Sequence, residues 1–217
     1  MKTLMGALVF SSFILFSSVK SNPGKTLKSR NGSANKIITM AYLLDGNEFD
    51  DRNASMNSEV GTWLKEVNKK AQDKLKEALK LPIELEIIEI NKTSKTLSER
   101  LAHWQSENQV YGGWILGVVK SESMKSTVNP DIICVLTKRM IYDDFHRDML
   151  AYSRHRSLCV SMVPMLFTYK ENGVQQSGER LSQLIQNSTL NDLKTVIDEC
   201  NKQKTSSQGK RRLHLAQ

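Results

Sequence analysis

An α/β fold with a mostly parallel sheet is the class this sequence predicts. Apolar, β-branched runs alternate with amphipathic stretches, the order that lays helices over a parallel sheet. Asp131 to Thr137 (DIICVLT) is almost wholly apolar, as a strand covered on both faces must be. At 217 residues, 39% of them hydrophobic, the chain is long enough for one domain with its own core.

The first residues read as an export signal. Met1-Lys2 is a short basic start, and Leu4 to Val19 is apolar and uncharged. Val19 and Ser21 then supply the small residues of a cleavage site before Asn22. The run is shorter than a bilayer span, so residues 1–21 are expected to be a signal peptide. Residues 22–35 come next as a flexible lead-in rich in Ser, Gly, Asn and Lys. Secretion agrees with four sequons, at Asn31, Asn53, Asn91 and Asn187, whose glycans would need surface positions.

Within the domain expected over residues 36–203, Lys36 to Leu44 is the first strand. Asn57 to Lys80 is the clearest helix: Val60, Trp63, Leu64, Val67, Ala71 and Leu75 share one face, and Pro82 stops it. Ile83 to Ile90 is a second strand. Thr96-Leu-Ser-Glu99 reads as a capping box opening a helix with Leu97, Leu101 and Trp104 on its buried stripe. Gly112-Gly113 breaks the chain before the apolar run Trp114 to Val119, and Lys120 to Asn129 reads as a loop. Cys159 to Tyr169 is a further strand, placed at an edge by Pro164. Short helices are expected at Gly178 to Gln186 and Thr189 to Cys200. Residues 204–217 form a basic tail containing Gly209-Lys-Arg-Arg212, which resembles a processing site.

The net charge of +8 lies largely at the two ends and accompanies no nucleic-acid-binding motif, so a nucleic-acid partner is not expected. Three cysteines exclude a disulfide scaffold. Cys134 reads as a buried free thiol, whereas Cys159 and Cys200 sit near turn-like sequence and could pair. The four histidines, His103, His146, His155 and His214, include no pair at helical spacing that could aim two imidazoles at one ion. Asp143, Asp144 and Asp148 lack the ligand spacing of a calcium loop and read as a solvated turn.

The order of these segments resembles the reprolysin (adamalysin-like) zinc endopeptidases of the metzincin clan, from about Ile37 to Cys200. ITMAYLLD, GTWLKEVNKKAQDKL, IELEIIEIN, TLSERLAHWQ, DIICVLTKRMI and MLAYSRHRSLCVSMVPMLF look like successive family segments. The resemblance implies a metzincin-like mixed, mostly parallel twisted sheet with flanking helices. It also implies that the family's zinc helix, His-Glu-x-x-His-x-x-Gly-x-x-His, corresponds to VQQSGERLSQLIQNS. Gly178, Ser182 and Ser188 then stand where the three zinc ligands belong, Glu179 where the general base belongs, and Ile185 at the turning glycine. Glycine offers no ligand, and serine hydroxyls are poor neutral ones. No Met-turn is evident, so the lower subdomain is expected to be truncated. The family's edge-strand cysteine matches Cys159, with Cys200 the available partner for a disulfide.

The resemblance, with its ligands lost, implies a secreted, catalytically inactive pseudoenzyme with no cofactor, Glu179 being vestigial. Such a protein is expected to act as a monomer that binds an extracellular protein or peptide, for example one of a host or prey, by strand addition along Cys159 to Tyr169. Members of the family occur in venoms and saliva. Two alternatives remain: an active zinc endopeptidase using His146, His155 and an acidic residue, and a precursor cleaved at its basic tail.

Overall fold

The computed structural model describes residues 36–106, 108–123 and 129–199. The expected signal peptide, lead-in and tail, with Asn31, Cys200, His214 and residues 209–212, lie outside the described residues. A five-stranded sheet is ordered β2-β1-β5-β8-β7, where β1 is Lys36–Leu44, β2 Ile83–Lys92, β5 Ile132–Thr137, β7 Ala151–Tyr152 and β8 Val163–Thr168. The first four are mutually parallel and β7 is antiparallel. Among the described residues it is flanked by α1 (Glu59–Leu79), α2 (Lys95–His103), α3 (Gly112–Ser123) and α4 (Val174–Gln186), with a further short helix at residues 193–199. The α/β class and the mostly parallel sheet are therefore as expected.

Alternation of side chains along each strand divides the core into two layers. Met40, Tyr42, Cys134, Leu136, Met165 and Phe167 face α1 and α4, joined by Trp63, Leu64, Val67, Leu75, Leu181 and Ile185. Ala41, Ile133, Val135 and Leu166 face the other way, against Leu97 and Leu101 of α2 and Ile115, Leu116 and Val119 of α3. The inner strands β5 and β8 are buried at every position, which is why neither shows polar alternation before its final threonine.

The long helix α1 forms where its apolar stripe predicts. Ser58 caps it by accepting a hydrogen bond from the Gly61 N–H, and Lys80 closes it in a left-handed conformation. A Cβ at Gly61 would run into the Ser55 carbonyl oxygen, so only glycine lets the first turn sit against that loop. In β2 the alternation breaks at Ile87-Ile88. The pairing with β1 shifts there, Met40 facing Ile87 and Ala41 facing Glu89, so the extra residue is a bulge that leaves Ile88 exposed.

Several expectations need correction. The cap of α2 is Ser94, which accepts from the Leu97 N–H; the Thr96–Glu99 box lies inside the helix. The run Trp114 to Val119 is the body of α3, which continues through Ser123 into the stretch expected to be loop. The strand Cys159–Tyr169 is shorter, Val163–Thr168, and it is not at the edge, because β7 pairs with Leu166 and Phe167. Pro164 is tolerated for a related reason. Val163 N–H points to β5, bonding Asp131 O, and successive N–H groups alternate. The missing donor of Pro164 therefore points toward β7, beyond the two residues that β7 covers. The last helices are Val174–Gln186 and residues 193–199, which leaves Leu190 79% exposed and off the expected stripe. A second sheet, β3 (Gln105–Ser106), β4 (Gln109–Tyr111) and β6 (Met140–Tyr142), was not foreseen.

Candidate functional site

The residues that the resemblance assigns to a zinc site lie on α4 and just after it, and their geometry serves packing. Gly178 is buried against α1: a Cβ there would stand 2.6 Å from Lys70 Cβ, 2.7 Å from Lys70 Cγ and 3.1 Å from the Val67 carbonyl oxygen. Ser182, 4% exposed, donates its hydroxyl to the Glu179 carbonyl at 3.0 Å. Ser188 is 1% exposed and donates to the Ile185 carbonyl at 2.6 Å. Ile185 is fully buried in the core. Glu179 is half-buried and accepts from Gln175 Nε2, one turn earlier on the same helix. Zinc does not fit this set: one position has no side chain and no room for one, and both hydroxyls are committed to backbone carbonyls.

The alternative ligands fare no better. His146 faces Asp143 at 3.2 Å on an exposed turn. His155 is half-buried, with its Nδ1 enclosed and unpartnered; burial, and then the Lys120 charge, lowers its pKa. No group of three His, Cys, Asp or Glu side chains could hold a metal ion among the described residues. The three aspartates form a turn in which each has a protein partner. Asp143 accepts from the Phe145 and His146 N–H groups, Asp144 from Tyr111 Oη, and Asp148 from Gln109 Nε2. Burial alone would raise the Asp143 pKa, but those donors and the neighbouring imidazole outweigh it and hold the carboxyl below its ordinary value.

Sequence reasoning missed a polar cluster at the carboxyl ends of β1 and β5, where the strand order reverses and α/β sheets place their ligands. Glu48 accepts from Thr137 Oγ1 at 2.8 Å, Lys138 N at 2.5 Å and Arg139 Nε at 2.7 Å. Thr168 Oγ1 donates to the Arg139 carbonyl. Asp45 is wholly buried; one carboxylate oxygen accepts from Asn47 N and Nδ2, and the other has no partner. Burial, reinforced by Glu48, raises its pKa to about 6 against the donors from Asn47. Glu48, Thr137, Arg139 and Thr168 mostly satisfy one another, so the cluster closes the top of the sheet.

One feature open to a ligand is aromatic. The small sheet sets the ends of β4 and β6 side by side, so Tyr111 and Tyr142 meet edge to face at 5.3 Å. The turn after α2 returns Trp104 onto Trp114, the rings stacked at 5.5 Å and 8°. Together with His103, Gln105 and Asp144 they line an open pocket of about 420 Å³. Trp114 is 61% exposed. A second groove, about 790 Å³ between α1 and α4, is lined by charged and amide side chains including Glu179, together with Ser182.

The expected glycan sites within the described residues sit as follows. Asn91 and Asn187 are exposed, and Asn53 is half-buried with its amide oxygen accepting from Asp50 N. Cys134 is a buried free thiol, as expected, and burial raises its pKa well above the ordinary thiol range. No helix among the described residues is long and apolar enough to cross a membrane.

Comparison with known proteins gives little more. No family model matches the chain. No curated protein matches it either. Among solved structures, archaemetzincin from Methanopyrus kandleri is similar over 77% of this chain and 71% of its own, at 8% identity and a TM-score of 0.37. A likeness of that size supports no conclusion about activity or family.

Proposed function

We propose that this chain is an exported, non-catalytic binding protein: a reprolysin-like pseudoenzyme that engages an extracellular protein. The observation that carries the reading is the seating of α4. Gly178 is engaged in packing and Ser182 and Ser188 in backbone hydrogen bonds, so the helix that resembles a zinc helix brings no imidazole to the groove it lines, and Glu179 there is paired with Gln175. Export is supported by the apolar N-terminal run and by sequons at exposed Asn91 and Asn187. The Cys159–Cys200 bridge belongs to the same reading. Val196 and Glu199 share a pocket with Cys159, which brings the last helical turn within reach of it. Non-reducing peptide mapping should recover the two cysteines in one linked peptide.

Strand addition along β8 is confined to the positions that β7 leaves unpaired, since β7 already pairs with Leu166 and Phe167. The test is metal analysis of the purified secreted protein alongside casein cleavage with and without chelator. Substoichiometric zinc and no cleavage are expected. Stoichiometric zinc with chelator-sensitive cleavage would overturn the proposal.

A further inference from the structure

We infer that the Trp104–Trp114 pocket is a binding site for a neutral sugar ring. The site is separate from α4, and the inference holds whether or not the chain has catalytic activity. Three observations combine. Trp114 presents an accessible indole to solvent, 61% exposed, held in place by its stack on Trp104. An aromatic face carries the negative part of the ring quadrupole and attracts the electropositive C–H face of a pyranose while that face leaves water. Around it stand polar groups rather than aliphatic ones: Gln105, Tyr111, Asp144 and His103. Gln105 Nε2 is buried without a partner. A buried donor left unmade is unfavourable, and a turn of the Gln105 side chain, which lines the pocket, would pair it with a ligand oxygen.

Charge decides against the obvious rival, a cationic amine or guanidinium held in an aromatic cage. Asp144 is not a naked carboxylate. It accepts from Tyr111 Oη at 2.8 Å and lies 3.7 Å from Arg154 Nη2. Its charge is already matched within the chain. The two indoles stack on each other at 5.5 Å, which leaves no gap for a cation between them. An unpartnered N–H donor also asks for an acceptor, which an ammonium does not have. A ligand with one apolar face, hydroxyls that both accept and donate, and no net charge satisfies all of these. The pocket volume of about 420 Å³ falls within the roughly 300–1,000 Å³ range of small-ligand pockets.

The experiment uses the secreted protein after enzymatic removal of its own N-glycans, so that they cannot compete. It is applied to a printed array of neutral mono- and oligosaccharides, and the strongest binder is then titrated free in solution against tryptophan fluorescence. Tetramethylammonium and arginine methyl ester are titrated in parallel. Binding of neutral sugars is expected, with a loss of about tenfold or more for Trp114→Ala and a clear loss for Gln105→Leu, at unchanged far-UV circular dichroism. Trp114 is mostly exposed, so its removal should leave the fold intact, and Gln105→Leu supplies a second variant if it does not. The inference is overturned if no array sugar binds. It is equally overturned if sugar binding survives both substitutions in folded protein, or if only the cations bind.

Discussion

Replacing Gly178 with alanine tests the seating of α4 directly. At an exposed position in a helix this change stabilises by about 1 kcal/mol, because alanine has the better helix propensity. Here the new methyl carbon would stand 2.6 Å from Lys70 Cβ and 2.7 Å from Lys70 Cγ, against a comfortable separation of about 3.5–4.0 Å between carbons. Neither Lys70 atom is the free end of a flexible side chain, and the Val67 carbonyl at 3.1 Å blocks a sideways escape. Helices α1 and α4 must therefore part. Overpacking of this severity costs about 2–3 kcal/mol. Set against the propensity gain, Gly178→Ala should destabilise by about 1–2 kcal/mol, or about 2–8 °C in Tm for a domain of this size. Urea unfolding with linear extrapolation is the assay. The same substitution in a Lys70→Gly background should lose much of its penalty, a coupling of about 1 kcal/mol. A single variant that proves more stable than the parent, or a double variant that shows no coupling, would refute the close approach of the two helices.

Asp45 gives a pH dependence. Its carboxyl has a higher pKa folded, about 6, than unfolded, near 3.8, so the folded state holds its proton more tightly. The contribution is full below pH 4 and is lost as pH rises through about 6; the difference corresponds to about 3 kcal/mol. Asp45→Asn should therefore gain up to that amount on the parent between pH 4 and pH 7, as thermal unfolding at the two values would register. Tyr42 Oη donates to Asn68 Oδ1 at 2.5 Å in the core, so Tyr42→Phe should cost about 1–3 kcal/mol in a urea titration by leaving that acceptor unpaired. Cys134 is fully buried, so iodoacetamide should label it only in denaturant; labelling at native-state rates would contradict its place in β5.

How much could be read from sequence depends on the range of the interactions. The β1–α1–β2 unit was legible because each element carries its own periodicity, and the doubled Ile87-Ile88 even marks the bulge. The small sheet was not, because β4 and β6 are three residues each and exist by pairing across a long stretch of chain. The edge assignment of Pro164 read the right constraint on the wrong strand: the missing donor does need a free side, but the two residues of β7 leave one without exposing all of β8. On α4 the sequence could register that Gly178 carries no ligand, yet not that Lys70 occupies the space where one would be. The aromatic pocket escaped notice because Trp104 reads as one more member of a buried stripe. Its stacking partner is supplied by a helix that starts only after two short strands have turned the chain back.

The outer position of β2 has a consequence for behaviour at high concentration. Among the described residues no strand covers its far side, so apart from the Leu85 N–H, which donates to Gln72 Oε1, it offers backbone groups to a second copy approaching edge-on, the usual beginning of strand-mediated aggregation. Glu86 and Glu89 are carried on that strand, and acidic side chains along an outer strand oppose its pairing with the same strand of another molecule, so replacing both with threonine should promote strand-mediated association.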